Sequence, residues 1–527
     1  MCYTDFIGKK RGGARMKKQN KIIGIIGTVT FVTLLAKVLG FVREALQARE
    51  FGMSGTTDLF TLSYNSTTYI FTTVAYALCI AALPVISKKL AKSRDEGIAA
   101  ANNILCICLS LSALVMVFGL IFPKIYLGSA LSGLSDELAS KLILYTRILL
   151  PGILIIVATY VFLSLLQSLE HYYLQGSLSL PANVVLIIYL IVFGDRFGMA
   201  GLVTAISLSW LLQLAMTFPA LSKEKYRFAF RIDFRADYIA DFAKTALATV
   251  FNTSVFLICY LSDTSAAKAL GEGNATAFYY ADKLFSPLTS TLIYSISTVM
   301  FPKFNLEYNR TSDGEYKSYV KNIIEKTVMI MLPVSVIFSS VTEQVIDVVF
   351  GGGSFDDGSV VMTAGVLCAY ALGMTGFGVL DLLNKAFYTM GKAASPLIVN
   401  VAIVLLNLGL DFVLVRSGGF FVALCTSVSL SLGAVIMAVV FFKGVDAKTS
   451  LLKILKSIAA AAIMAALLFA LRTVFLNVTD AAPIQIVKSV ALGALGALLY
   501  FALLALFGER EIVGFFFSKF KRERSEK

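Results

Sequence analysis

Charge and histidine are what this chain has least of. Only 15% of its 527 residues are charged and 57% are hydrophobic, giving a mean hydropathy of +0.80. A soluble protein of that length needs far more polar surface to cover its domains. The single histidine, His171, excludes HExxH zinc sites and paired haem ligands, and beside a predicted turn it reads as an ordinary interfacial residue. No GxxxxGK[ST] loop occurs, so the chain does not hydrolyse a nucleotide through a P-loop. Long polar connections are missing too, which leaves a soluble catalytic domain nowhere to fold. Short strands of alternating polarity, the mark of a membrane β-barrel, are absent. The seven cysteines are scattered, and all but Cys2 fall inside apolar runs, where a thiol acts as a small hydrophobe. No catalytic residue, cofactor or metal is expected.

What is present is apolar sequence in lengths suited to a bilayer core of roughly 30 Å. Fourteen spans are predicted, near 21–45, 58–86, 100–122, 141–168, 174–193, 198–221, 240–262, 278–302, 320–345, 359–384, 395–415, 418–442, 452–475 and 485–507. The fold class is therefore an all-α polytopic membrane protein. Lysine and arginine gather on alternate connections: "KKRGGARMKKQNK", "KKLAKSR", "KEKYRFAFRIDFR", "KFNLEYNRTSDGEYK", "KGVDAKTSLLKILK" and "KFKRERSEK". The intervening loops, such as "GDRFG", "FGGGSFDDGS" and "VRSGG", are poor in them. By the positive-inside rule both termini are cytoplasmic, as an even span count also requires. The net charge of +13 is thus explained by topology and is not a nucleic-acid footprint. The polar, basic start is not a cleavable signal peptide, and Met16 looks the more natural first residue.

The chain also repeats itself. Tyr173 precedes Pro181 in "HYYLQGSLSLP" as Tyr388 precedes Pro396 in "AFYTMGKAASP". "TAISLS" from Thr204 returns as "TSVSLS" from Thr426, while Asp58 and Pro84 find counterparts in Asp282 and Pro302. The matches keep their order at a nearly constant offset. An even, six-span repeat gives two parallel lobes, with two C-terminal helices left over. The expected organisation is a basic segment 1–20, a first lobe 21–225, a second lobe 226–445, two further spans in 446–508 and a basic tail 509–527. Two such lobes suggest, by analogy, an alternating-access transporter.

Charges inside the spans mark the candidate site. Lys37 lies about 24 Å along the first span from Lys21. Lys37, Gly40 and Glu44 share a helix face, with Arg43 nearer the outer interface. An intramembrane charge usually faces a bundle interior or a water-filled cavity, although Lys37 snorkelling outward and Arg43 pairing with Glu44 at the headgroups is the plainer reading. In the second lobe "YYADKLF" supplies Asp282 and Lys283. Lys37, Arg43 and Lys283, balanced by Glu44, Asp58 and Asp282, suit an anionic head group such as a pyrophosphate, or else an interlobe gate. Asp381 and Asp411 are candidates for ion coupling, with pairing to Lys385 and Arg416 at the span ends as the simpler alternative. "FGGGSFDDGS" reads as an outer turn.

On these residues the chain resembles a known family. "KVLGFVREAL…FGMSGTTDLF" is similar to the first-span signature of the MurJ (MviN-type) lipid II flippases, and "FYYADKLFSPLTSTLIYSISTVMFPKF" to their eighth span. "AFYTMGKAASPLIVNVAIVLLNL" resembles their tenth-to-eleventh junction. The resemblance runs from about residue 25 to 445 and places the chain in the multidrug and oligosaccharidyl-lipid exporter superfamily. It implies translocation of an undecaprenyl-pyrophosphate peptidoglycan precursor to the outer leaflet of the bacterial cytoplasmic membrane. It also implies cavity cations at Lys37, Arg43 and Lys283, an acidic position at Asp58, a lipid-tail groove at spans 13 and 14, and the cell-wall synthesis machinery as company. The chain departs from the pattern in carrying lysine for arginine at Lys37 and Lys283, and in lacking cations in "YIFTTVAY" of span 2. Lysine is a point charge and does not clamp a phosphate bidentately. A flippase for another polyprenyl-linked oligosaccharide is the runner-up. A multidrug antiporter and a membrane glycan polymerase are the remaining alternatives.

Overall fold

The computed structural model describes residues 32–171, 173–392, 394–446, 448–476 and 481–509. The expectations for the basic start, for residues 21–31 of the first span, for Cys2 and for nearly all of the tail lie outside those residues. Among the described residues the structure is helical, with no β-strand beyond an isolated bridge between Gly352 and Phe355.

Helices stand at the places of all fourteen predicted spans. They are α1 (32–51), α2 (Gly55–Leu90), α3 (Arg94–Ile121), α4 (Asp136–Ser168), α5 (Ser179–Val192) and α6 (Gly194–Lys223). There follow α7 (Ile239–Ala267), α8 (Asn274–Tyr308), α9 (Asp313–Ser340), α10 (Asp357–Thr389) and α11 (Ala394–Leu414). The last three are α12 (Gly419–Phe441), α13 (Lys448–Phe475) and α14 (Ala482–Leu506). Ten of the helices among the described residues are long and apolar enough to cross a membrane, or eleven if α7, bent by 46° after Phe251, is one span. A count of fourteen crossings therefore does not follow from length and hydropathy alone. Part of α1 lies outside the described residues, α5 is short, and α8 is unusually polar for its length.

Sequence punctuation accounts for the breaks. Gly198, the fifth residue of α6, kinks the start of that helix at φ +56°, a conformation that a side chain would strain, and its carbonyl accepts from the Tyr189 hydroxyl at 2.6 Å. Ser312 and Glu315 form a reciprocal capping box at the start of α9. The "FGGGSFDDGS" turn ends with Asp356 accepting from Ser359 N–H at 2.8 Å, which starts α10. Pro181 and Pro396 are each the third residue of their helix, α5 and α11, where a missing N–H costs little.

The helices form two compact units, residues 1–50 with 62–253, and residues 51–61 with 254–527. The first packs α2, α3 and α4 around small residues such as Ala75, Ala82, Ala101 and Ala158. Small side chains let apolar helices approach closely, which is what drives association where lipid is the solvent. In the second unit α10 is central, against α8, α9 and α12. A Cβ on Gly373 or Gly376 would collide with Ser427 or Ser431 of α12, and Ser427 Oγ donates to the Ala369 carbonyl at 2.6 Å. The "TAISLS" copy in the first unit places Ser207 so that it donates to the Ile148 carbonyl of α4 at 3.0 Å. Both copies thus lie on a helix packed against the fourth span of its half. Helices α13 and α14 pack on α9, with Tyr500 donating to the Met329 carbonyl at 3.0 Å. The six described cysteines are unpaired thiols, and all but Cys368 are buried.

Candidate functional site

The charges of α1 are held from its own unit. Arg43 pairs with Glu44, whose side chain is 4% exposed, and donates to Asn183 Oδ1 at 3.1 Å. Asn183, on α5, donates in turn to the Ala36 carbonyl at 2.9 Å. The two helices approach at Gly40, where an added Cβ would stand 3.6 Å from the Asn183 amide, in ordinary van der Waals contact. A charge at this depth is expensive unless compensated, and the neighbouring carboxylate compensates it. Lys37 lies away from this contact and is exposed.

The second unit holds Asp58, from the start of α2, as well as Asp282 and Lys283 of α8. Residues 51–61 belong to this unit, and Asp58 reaches the first turn of α8. Its Oδ2 accepts the Gly273 N–H at 2.7 Å, and its Oδ1 accepts the Thr276 N–H at 2.8 Å and the Thr276 hydroxyl at 2.7 Å. Gly273 precedes the helix at φ +82°, a conformation that needs glycine. Glu272 accepts from the Gly55 N–H in the opposite direction, so the starts of α2 and α8 cap one another. Four orphan N–H groups at each helix start make such carboxylates favourable. Asp282, two turns further in, is buried and accepts from the Ser286 hydroxyl. The half-buried Lys283 ammonium stands 4.5 Å from the Tyr279 ring centroid, a cation–π contact.

The candidates for ion coupling behave differently from one another. Asp381 pairs with Lys385 at 2.9 Å, one turn on, and accepts from Ser297. Asp411 does not pair with Arg416, which is exposed. Five residues apart on a helix is about 140° around it, so the two side chains diverge. Asp411 instead accepts from Ser262 and lies within hydrogen-bonding reach of Asp263. Asp263, fully buried on α7, accepts from the Tyr370 hydroxyl at 2.8 Å, Asn407 Nδ2 at 3.2 Å and the Thr426 hydroxyl at 2.7 Å. Among the described residues no lysine or arginine pairs with either carboxylate, so this site has hydrogen-bond donors and two acids but no fixed cation. Asp263, Asn407 and Thr426 were missed from sequence because hydropathy ends the seventh span at 262, while the helix continues to Ala267. The visible signal was Asn407 and Asp411 four residues apart on one face. Among the described residues no group of three or more His, Cys, Asp or Glu side chains could hold a metal.

Helices in this order, with charges buried inside them, define a polytopic transporter fold. The chain is similar in structure to a protein described as lipid II flippase MurJ in an inward closed conformation, with a TM-score of 0.74 and 19% identity over 92% of this chain and 99% of that one. It also resembles an inward-facing multidrug resistance MATE family transporter of the MOP superfamily, at a TM-score of 0.64 and 16% identity, over 78% of this chain and 97% of that one. The model of the lipid II flippase MurJ family matches residues 47–491, and the chain belongs to that family. Relatives include a probable lipid II flippase MurJ of Thermotoga maritima, 25% identical over 84% of this chain and 89% of its own length. Another is the lipid II flippase MurJ of Burkholderia cenocepacia, 23% identical over 79% of this chain and 82% of its own.

Proposed function

We propose that this protein is a lipid II flippase, a transporter and not an enzyme, which moves the polyprenyl-linked peptidoglycan precursor across the bacterial cytoplasmic membrane by alternating access. The match of the lipid II flippase MurJ family model across residues 47–491 carries the reading. The head-group pyrophosphate is taken by Arg43 and Lys283, with Lys37 adding charge. Glu44 and Asp282 balance those cations, and Asp58 holds α8 in place. Lysine at 37 and 283 supports charge attraction without a bidentate clamp.

Residues 21–225 and 226–445 act as the two lobes of the cycle, and α13 and α14 guide the lipid tail. The basic connections face the cytoplasm, with the segment 1–20 and the tail 509–527 on that side. The cell-wall synthesis machinery consumes the product outside. Asp411, with Asp263, carries a proton or a monovalent cation that is exchanged during the cycle, while Asp381 is held by Lys385 and contributes charge balance. One elementary charge moved through the membrane potential supplies about 2.3 kcal/mol per 100 mV.

The test is expression of the full chain in bacteria depleted of their own lipid II flippase, scoring lipid II accessible at the outer leaflet. Restored accessibility supports the reading. A well-expressed, membrane-inserted protein that restores none, but rescues cells lacking the flippase of another polyprenyl-linked glycan, moves the assignment to the runner-up.

A further inference from the structure

The connection between α6 and α7 is neither helix nor free loop. Tyr226 to Asp233 run without helical structure and are tied to α3 by two buried asparagines. Asn102 Nδ2 donates to the Arg227 carbonyl at 3.0 Å and accepts from the Tyr226 hydroxyl on its Oδ1. Asn103 holds Asp233 at both ends, donating to its carbonyl at 3.0 Å and accepting from its N–H at 2.7 Å. A strap fixed in this way presents what its sequence alternates. Phe228, Phe230 and Phe234 are 59%, 76% and 63% exposed, and Arg227, Arg231 and Arg235, before, between and after them, are exposed as well.

Behind the strap are two apolar cavities of about 470 and 450 Å3, within the size range of small-molecule sites. Both are lined by Leu109 of α3, Ala158 of α4 and Phe228 of the strap, so the two adjoin along one apolar groove. The charge around its mouth is unbalanced. Lys223, Lys225, Arg227, Arg231 and Arg235 face three carboxylates. Glu224 is already taken by Arg94 at 2.6 Å and His171 at 2.8 Å, and Asp237 by Lys89 at 2.8 Å. Only Asp233, 3.5 Å from Arg231, offsets the strap itself.

An apolar groove opening beside exposed aromatic rings and surplus arginines has the chemistry of a chain with an anionic head. We propose that this groove binds an acyl chain of an anionic phospholipid whose phosphate lies against Arg227, Arg231 and Arg235. The occupant belongs to the leaflet on the basic side, and only that choice of leaflet rests on the topology proposed above. The site is separate from the charges of α1 and α8, and its occupancy does not depend on whether lipid II is flipped.

The chain carries its own reporter. Its single tryptophan, Trp210, lies on α6 one turn before Leu214, which lines the groove. The full-length protein in detergent micelles is titrated with brominated-acyl phosphatidylglycerol or phosphatidylcholine while Trp210 emission is read. Half-maximal quenching is expected at a lower mole fraction of phosphatidylglycerol, by about fivefold per arginine engaged. The combined variant Arg227→Gln, Arg231→Gln, Arg235→Gln changes exposed side chains only, and is expected to lose the preference while keeping the wild-type melting temperature. Lys303→Gln with Arg310→Gln, in the last turns of α8 and just past its end, is expected to keep it. Equal quenching by the two lipids, or an undiminished preference in the triple variant, overturns the proposal.

Discussion

Asp58 and Thr276, 218 residues apart in sequence, are joined by two hydrogen bonds, a backbone N–H at 2.8 Å and a hydroxyl at 2.7 Å, both ending on Asp58 Oδ1. A side chain of one helix therefore caps the start of another. Losing an N-cap costs about 0.5–2 kcal/mol, and this cap is buried and charged. Asp58→Ala is expected to lower the melting temperature of the protein in nanodiscs more than Thr276→Val, which leaves both backbone donors satisfied. Equal effects of the two would show that the hydroxyl, and not the helix cap, holds the contact.

Arg43 and Glu44 neutralise one another, so neither can be removed alone without cost. Truncating one member of a buried ion pair strands its partner, at roughly 3–5 kcal/mol. Arg43→Ala is expected to destabilise the protein more than Arg43→Ala combined with Glu44→Gln. Both should lose transport if Arg43 takes the pyrophosphate as proposed, since Arg43 is gone in each. Thermal unfolding beside a transport assay separates the two effects.

The Asp263–Asp411 pair predicts an ion effect without substrate. Raising proton or sodium concentration should raise the melting temperature of the wild type, because either ion relieves two facing carboxylates. Asp411→Asn removes one charge and should flatten that response while leaving the starting stability close to wild type. A variant that responds as the wild type does would remove Asp411 from ion coupling.

At the membrane surface, Glu224 is held by His171 and Arg94, which keep its carboxyl below its ordinary value of 4.5. A depressed acid contributes stability that is fully present above its unfolded value and is lost as pH falls through the folded one. The exposed pairing is worth at most about 1 kcal/mol. Protection of residues 168–171 from hydrogen exchange, corrected for the intrinsic rate at each pH, should therefore be unchanged from pH 7 to pH 6 and lower near pH 4, with Glu224→Gln below wild type at pH 6 and 7 and converging on it as the pH falls.

Much of this was legible in the sequence, and what was not was hidden for two different reasons. Span positions followed from apolar length, and the interruption between the fifth and sixth spans from "GDRFG". The Asp381–Lys385 pair was readable from a spacing of four, and the Arg43–Glu44 pair from adjacency. Asp58 stood out as a charge at the head of a span. That it caps α8 was hidden, because the partner is more than two hundred residues away. Asp263 was missed for a local reason. A carboxylate ends a hydropathy window even where three hydrogen bonds from other helices let it stay buried.

The central claim is that the cations of α1 and α8 take the pyrophosphate. It is tested most directly by outer-leaflet lipid II accessibility in flippase-depleted cells carrying wild type, Arg43→Ala, Lys283→Ala or Lys283→Arg at matched membrane levels. Loss of accessible lipid II in both alanine variants, with recovery in Lys283→Arg, is the expected result. Wild-type accessibility in Lys283→Ala and Arg43→Ala would contradict it, and would place the head group elsewhere in the fold.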